Sequence, residues 1–308
     1  MTEPAACANK YVIVCNPESR VSPDQVEAEF RRVAGLSVEL VVRKTEPGTP
    51  MAQIIGADLT PGTIVVAVGG DGTVSAVATV LTGTDYALGI VPGGSTNMVA
   101  KVNRVPGGVA AAVKLIHGRH SVERIDVGRC KDRVLLHLGG AGLDARLFTM
   151  SSPQLKKRLR WLAYGPPFAK ALMEAPARFE ITVDGSSISL ESRLVLVANA
   201  SNLIHPRFEL MRHVSRTDGV FDILVITADS WVEIARLGGQ VMSMRLDKSE
   251  HSVRFAGSHI VIQSNPPVPF ELDGDVVGET PFEVFVEPQA LSVICGPQIT
   301  RRWDQAER

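Results

Sequence analysis

The first hundred residues contain four short apolar runs, and stretches with helical spacing separate them. The runs are YVIVC (11–15), ELVVR (39–43), TIVVAV (63–68) and ALGIV (87–91). Continuous apolar strands of this kind are typical of parallel sheets that helices cover on both faces. The first part of the chain is therefore predicted to form an α/β domain around a parallel sheet.

The segments between these runs carry helix signals. Ser22 precedes Pro23 and Gln25, which is a capping sequence with proline in the first helical position. A short helix is predicted over 50–57, and another over 74–82, after the third apolar run.

The pattern changes after about residue 125. The segment FEITVDGSSISLE (179–191) alternates apolar and polar residues around an Asp-Gly pair, which predicts a hairpin. Further predicted strands are RLVLVANA (193–200), VFDILVI (220–226), HIVIQS (259–264), FEVFVEP (282–288) and ALSVIC (290–295). One helix is predicted near 230–243. The second part is thus expected to be a mostly antiparallel, sandwich-like β domain.

Composition excludes several classes of protein. The chain has 308 residues, enough for two domains, and a net charge of −1 that attracts neither nucleic acid nor anionic lipid. The cysteines show no zinc or disulfide spacing; they are Cys7, Cys15, Cys130 and Cys295. No signal core and no uncharged apolar run of about 20 residues is present. A cytoplasmic protein that binds no nucleic acid is predicted.

The stretch VVAVGGDGTV (65–74) leads from a buried strand into three glycines around one carboxylate. Glycines allow a phosphate to approach the backbone, and the following helix offers N–H donors to it. Asp71 repels phosphate, so it is predicted to hold Mg²⁺ or a water of its shell, or to orient a hydroxyl. The alternative is a tight turn with Asp71 as a helix cap. The pattern matches neither the dinucleotide nor the P-loop motif.

A second glycine turn, PGGSTN (92–97), follows the next strand. Because ligands of open parallel sheets bind beyond the carboxyl ends of the strands, the two turns together can grip one polyphosphate. Taken alone, the second turn could be a plain connection.

GGDGTV and PGGSTNMVA together resemble the diacylglycerol kinase catalytic family, in its bacterial lipid-kinase branch, which is related to sphingosine and ceramide kinases. Further blocks follow in the family's order. They are Asn16-Pro17, HLGGAGLDA (137–145), the basic LKKRLRWLAY (155–164), VANAS (197–201), DGVFDI (218–223) and LDGD (272–275).

The resemblance implies an ATP-binding α/β domain over 8–128, completed by residues 296–308, and a β-rich lipid-substrate domain over 129–295. ATP would sit in the cleft with Mg²⁺, and its γ-phosphate would pass to a lipid hydroxyl. Diacylglycerol is the expected acceptor and phosphatidic acid the product. The implied membrane contact is peripheral, at the inner face, and the family often forms homodimers.

Residues with predicted roles in nucleotide binding lie at the ends of the first four strands. They are Asn16, Thr45, Gly69, Gly70, Asp71, Gly72, Thr73, Gly94, Ser95 and Thr96. Phosphoryl transfer also needs a group that takes the hydroxyl proton. By resemblance Asp275 takes the place of the family's catalytic glutamate as the general base.

Asp273 is predicted to support the metal or to orient Asp275, because two carboxylates two residues apart on an extended segment point to one side. LDGDVVG also fits an Asp-Gly hairpin turn. By resemblance Asp218 would bind a structural Mg²⁺ together with the carbonyls of Ser215 and Val220, and a plain Asp-Gly turn is the alternative there. Asp126 and Asp144 are either metal partners or buried caps.

Three departures from the family leave other functions open. The glycines usual after Ser19 are missing, Ala76 stands where an acid is common, and LIHPRFE occupies 203–209. The last two favour a nucleotide- or lipid-binding regulator without turnover, and the first bears on the ATP contacts near Asn16. A kinase of another acceptor, such as a sphingoid lipid or NAD, also fits the bare GGDG turn. The basic residues of 155–164 suit either lipid headgroups or a solvated helix face.

Overall fold

The structure is a computed structural model that describes residues 8–118, 120–142, 176–200, 211, 214–227, 233 and 249–297. Five sequence features lie wholly or mostly outside these residues. They are Asp144, the basic stretch 155–164, the loop 203–209, the helix predicted over 230–243 except for residue 233, and residues 298–308 of the segment predicted to complete the first domain. The chain divides into two compact units, one within Met1–Arg124 and Leu291–Arg308, the other Ile125–Ala290.

The first unit contains the predicted parallel sheet. Its strands are β1 (Lys10–Cys15), β2 (Glu39–Lys44), β3 (Ile64–Gly69) and β4 (Ala87–Pro92). They pair in the order β2-β1-β3-β4, and every pair is parallel. All six residues of β3 are buried, as its unbroken apolar run predicted. Because the strands are parallel, the loops that follow them all leave at one edge.

Five α-helices accompany this sheet in the described residues. They are α1 (Pro23–Ala34), α2 (Met51–Ile55), α3 (Asp71–Leu81), α4 (Met98–Val102) and α5 (Val109–His117), and a 3₁₀ turn (Gly56–Asp58) extends α2. The α1 signals were correct, since the Ser22 hydroxyl accepts the N–H of Gln25 at 3.2 Å. Helix α3 begins at Asp71 rather than at residue 74, because the glycine stretch itself forms the first helical turn.

The second unit is built from antiparallel strands, which confirms the predicted fold class. Its elements are β5 (Ser121–Cys130), β6 (Arg133–Leu135), β7 (Leu138–Gly142), β8 (Ala177–Val183), β9 (Ser186–Ser192), β10 (Leu194–Ala198), β11 (Phe221–Ile226), β12 (Ser252–Gly257), β13 (His259–Asn265), β14 (Pro269–Leu272), β15 (Asp275–Glu279) and β16 (Phe282–Cys295). One sheet has the order β12-β11-β10-β7-β14-β15. Strand β8 pairs with both β9 and β13, and β13 also pairs with the first part of β16. Phe179, Phe221 and Ile262 are among the apolar side chains of its core.

The hairpin predicted over 179–191 is present. Strands β8 and β9 are joined by Asp184 and Gly185, whose φ angles are +48° and +84°. Positive φ at both central residues is the geometry that Asp-Gly favours in a two-residue hairpin loop.

Strand β16 corrects one prediction. FEVFVEP and ALSVIC were expected as two strands, but residues 282–295 form a single one. Its first part pairs with β13 in the second unit, and Ser292 and Val293 pair in parallel with β4 in the first. Within this strand Gln289 departs from ordinary strand geometry, with a φ of +47°.

None of the helices in the described part of the chain has both the length and the apolar character needed to cross a bilayer.

Candidate functional site

The two glycine turns contact each other at the carboxyl edge of the first unit's sheet. Gly69 is paired with Pro92 at the ends of β3 and β4, and the N–H of Gly93 donates to the Gly69 carbonyl at 2.8 Å. A Cβ atom on Gly94 would lie 2.5 Å from the Cα of Gly70. The turns therefore touch backbone to backbone, and this contact requires glycine.

The loop after β1 packs onto the same place. The N–H of Asn16 donates to the Val68 carbonyl at 3.0 Å, and its Nδ2 donates to the Thr73 hydroxyl at 3.3 Å. The hydroxyl of Ser19 occupies the space that a Cβ on Gly93 would need. Thr45 follows β2 at this edge, where its N–H donates to the Cys15 carbonyl at 2.9 Å. The structure thus brings together the ends of all four parallel strands.

Asp71 has a structural partner that the sequence did not indicate. Its Oδ1 accepts the N–H of Val99 at 2.9 Å, at the start of α4. Burial raises the pKa of the Asp71 carboxyl, and the N–H groups of Val99, Met98 and Asn97 and the charge of Lys101 partly oppose this. Asp71 therefore caps the helix that follows the second glycine turn. Its role toward Mg²⁺ or the acceptor remains a prediction.

Asn97 closes the second turn, and the sequence analysis missed it. Its Oδ1 accepts the N–H of Gly94 and its Nδ2 donates to the Gly94 carbonyl, both at 2.9 Å. Its φ of +51° is left-handed, a conformation that asparagine tolerates in turns. The asparagine at the end of PGGSTN was the signal that could have identified it. The neighbouring Ser95 and Thr96 are exposed.

The start of α3 is suited to an anion. Gly70 is the N-cap and provides no side-chain acceptor, and Val74 is the first residue whose N–H donates back, to the Gly70 carbonyl. The N–H groups of the first turn have no acceptor within the helix, and the helix dipole favours negative charge there. Asp71, Gly72 and Thr73 carry these groups. This edge of the sheet can therefore bind a phosphate group.

Asp273 lies in a tight turn of the second unit, not on an extended segment. Asp273 and Gly274 join β14 to β15, with φ angles of +51° and +94°. The Asp273 carboxylate accepts the N–H groups of Leu136, His137 and Leu138 at 2.9, 2.8 and 3.3 Å. The hairpin alternative describes this segment correctly, and the argument that Asp273 and Asp275 share one side of a strand was wrong. Asp273 anchors the connection between β6 and β7.

Asp275 is the accessible acid of this turn. It is the first residue of β15, its side chain is 55% exposed, and its carboxylate lies 3.9 Å from a guanidinium nitrogen of Arg133. Below it, the buried Glu271 accepts the N–H of Gly274 at 2.6 Å. Glu271 thus supports the turn that presents Asp275. The sequence offered no signal for it, because alternation alone does not distinguish a buried acid from an exposed one.

The Asp218 loop has the geometry of an Asp turn. Oδ1 of the exposed Asp218 accepts the N–H of Val220 at 3.4 Å. The fully buried Asp126 holds the loop, since it accepts the N–H groups of Gly219 and Gln289 at 2.8 and 2.7 Å. Asp126 is therefore a structural acceptor of main-chain N–H groups. This agrees with its interpretation as a buried cap.

The Mg²⁺ site at this loop remains a prediction. Its proposed ligands, the carboxylate of Asp218 and the carbonyls of Ser215 and Val220, are oxygen atoms, the kind of donor that Mg²⁺ prefers. Within the described ranges, no cluster of three or more His, Cys, Asp or Glu side chains could hold a metal ion. An ion here would depend on Asp218, main-chain oxygens and water.

We expect that Asp71→Asn will be at least as stable as the wild type at pH 7. The folded-state pKa is raised, so the ionised carboxylate opposes folding, and this cost disappears as pH falls below the ordinary value near 3.8. The side-chain oxygen of asparagine can still accept the N–H of Val99. Urea unfolding at pH 7 and near pH 4 should show an advantage of the variant that shrinks at the lower pH.

Asp184→Asn is the matched control with the opposite sign. The N–H of His259, with the N–H and hydroxyl of Ser258, lowers the pKa of Asp184. The stabilisation that ionised Asp184 provides is present at pH values above the ordinary pKa of aspartate, and it is lost on acidification. Asp184→Asn should therefore be less stable than the wild type at pH 7. If Asp71→Asn were also clearly destabilised at pH 7, the negative charge itself would be what holds α4.

Two family models match the chain, one over its α/β part and one over its antiparallel β part. Residues 10–130 match the model of the diacylglycerol kinase catalytic domain. Residues 140–295 match the YegS C-terminal NAD kinase beta sandwich-like domain.

Individual relatives are distant. The diacylglycerol kinase of Bacillus subtilis is 26% identical over 71% of this chain and 73% of its own length. Protein sll0036 of Synechocystis sp. is 28% identical over 74% of this chain, and the match spans 54% of that protein. A solved structure titled as a diacylglycerol kinase of Bacillus anthracis str. Sterne has a TM-score of 0.68 at 18% identity, with 94% and 98% of the two chains covered. Another structure from that organism reaches 0.77 at 20% identity and covers 96% and 98%. These two solved structures have the same fold as this chain.

Proposed function

Because this chain belongs to the diacylglycerol kinase family of lipid kinases, we propose that it transfers the γ-phosphate of ATP to the hydroxyl of a membrane lipid. The Bacillus subtilis relative, by its name, supports diacylglycerol as the acceptor, and the product would then be phosphatidic acid. A lipid acceptor requires peripheral contact with the membrane, on the cytoplasmic side where ATP is supplied.

The observation that carries this proposal is the contact between the two glycine turns. They meet at the carboxyl ends of two adjacent parallel strands, which is where open α/β sheets bind ligands. The main-chain N–H groups at the start of α3 and the exposed hydroxyls of Ser95 and Thr96 surround this place. Such an array suits a chain of phosphates, since it offers many donors and lets the backbone approach closely.

Transfer requires a base for the acceptor. The lipid oxygen forms the new bond to the γ-phosphorus, the bond to the leaving ADP oxygen breaks, and the hydroxyl proton passes to Asp275. The exposure of Asp275 allows a substrate hydroxyl to reach its carboxylate. Glu271 and Asp273 hold the turn that carries it. Bound Mg²⁺ would neutralise charge on the phosphates.

Two observations favour a second candidate, a nucleotide- or lipid-binding regulator without turnover. The carboxylates of Asp71 and Asp273 both accept main-chain N–H groups, so neither is simply available as a metal ligand. Ala76 stands on α3 where an acid was expected. A regulator would bind ATP and transfer nothing.

A direct assay separates these candidates. Purified protein, Mg²⁺ and γ-labelled ATP are mixed with detergent-dispersed diacylglycerol, sphingosine, ceramide or phosphatidylinositol, one acceptor per tube, with NAD and fructose 6-phosphate in parallel. We expect label in the organic phase of the diacylglycerol tube, and its loss when EDTA replaces Mg²⁺. Label in another lipid tube would keep the lipid kinase and change the acceptor.

The remaining outcomes point elsewhere. Label only with NAD or the sugar would contradict the lipid acceptor. ATP binding without any label would support the regulator.

A further inference from the structure

The proposed nucleotide contacts contain no cation. They are main-chain amides and side-chain hydroxyls or amides, and the one charged side chain among them, Asp71, is negative. A nucleoside triphosphate carries several negative charges, and phosphoryl transfer depends on their neutralisation. Neutral donors alone leave much of this charge uncompensated. A cationic side chain at this edge of the sheet would compensate part of this charge, in addition to any metal ion.

Arg20 contacts the second glycine turn directly. Its main-chain N–H donates to the Gly93 carbonyl at 3.1 Å, and its guanidinium Nη2 donates to the Ser95 hydroxyl at 3.1 Å. Close packing of Ser19 against Gly93 fixes the backbone beside it. The arginine is exposed, so the other guanidinium donors face solvent or a ligand.

Two other cations at this edge are less suitable. Lys44 ends β2, and the order β2-β1-β3 puts it two strand spacings, about 10 Å, from the first glycine turn. Lys101 lies on α4, where its charge partly opposes the rise that burial causes in the pKa of the Asp71 carboxyl. Among the described residues at this edge, Arg20 is the cation that touches a phosphate-binding turn.

We propose that Arg20 is a phosphate-binding residue of this site. This proposal rests on the proposed function, because it assumes that the ligand is a nucleoside triphosphate. From its place over Ser95 the guanidinium donates to phosphate oxygens, and its planar fork suits two oxygens at once. Arg20 stands at the departure after Ser19, where the family that this chain resembles usually has glycine.

The test compares the affinity for ATP, and its dependence on ionic strength, in four proteins: the wild type, Arg20→Met, Arg20→Lys and Arg124→Met. Arg124 is the matched control, because it is 51% exposed and pairs with Asp85, which precedes β4 at the opposite edge. We expect Arg20→Met to bind ATP about 10- to 100-fold more weakly, with a shallower salt dependence. Arg20→Lys should be intermediate and Arg124→Met unchanged.

The salt dependence comes from the folded molecules alone, so it stays informative if a variant is partly unfolded. Affinity of Arg20→Met within twofold of the wild type would overturn the role of Arg20. So would weaker binding with an unchanged salt dependence, since that result means a conformational effect. A wild type that binds no ATP would instead contradict the proposed function itself, and with it this inference.

Discussion

Replacing Gly94 with alanine should separate the two glycine turns and weaken ATP binding more than tenfold. The new Cβ would lie 2.5 Å from the Cα of Gly70 and 3.0 Å from Oδ1 of Asn97. The nearer atom belongs to the backbone, so no flexible side chain can move aside. Overpacking of this kind costs about 1–3 kcal/mol. Urea unfolding and titration with ATP would measure both effects.

Gly107→Ala is the control for this substitution. Nothing lies within 4 Å of a Cβ built on Gly107, and its φ is not in the left-handed range. Its stability should equal or slightly exceed that of the wild type, since alanine restricts the unfolded chain. A Gly94→Ala protein with wild-type affinity for ATP would show that the contact of the turns is not what forms the nucleotide site.

Asp275→Ala should lower phosphate transfer by about 10²- to 10⁴-fold, the range for a general base, and leave ATP binding unchanged. The side chain is 55% exposed, so the free energy of unfolding should change by no more than about 0.5 kcal/mol. Asp275→Glu should keep transfer or raise it, because the longer side chain is the one that the family carries. Initial rates of transfer from labelled ATP to diacylglycerol would be compared for the wild type, Asp275→Ala and Asp275→Glu.

Glu279→Ala is the matched control, since this exposed acid lies at the other end of the same strand. It should transfer phosphate at the wild-type rate. Full activity of Asp275→Ala would mean that another group takes the proton. An inactive Asp275→Glu beside an active wild type would mean that the turn is built for the shorter acid.

The elements with local signals could be predicted from the sequence. Ser22 and Pro23 mark the start of α1, and the apolar runs mark the four parallel strands, because each signal lies inside the element that it specifies. The fold class of each part of the chain, and the order of the α/β part before the β part, followed from these patterns. The place of the glycine turns also followed, since parallel strands end at one edge.

The partners of the acids could not be predicted in this way. The acceptor role of Asp71 depends on Val99, 28 residues further along the chain. Asp273 binds amides more than a hundred residues away, beside β7. In LDGD the same letters fit an extended pair of acids and a hairpin, and only the backbone conformation of residues 273 and 274 distinguishes them.

Strand β16 has a consequence for synthesis on the ribosome. Its last residues, Leu291 to Cys295, are buried and complete the first unit beside β4, yet they emerge only after the whole second unit has been translated. Until then the nascent chain exposes an apolar edge strand, the kind of surface that recruits other chains. The first unit is therefore completed only after the second unit, which follows most of it in the chain, has been made.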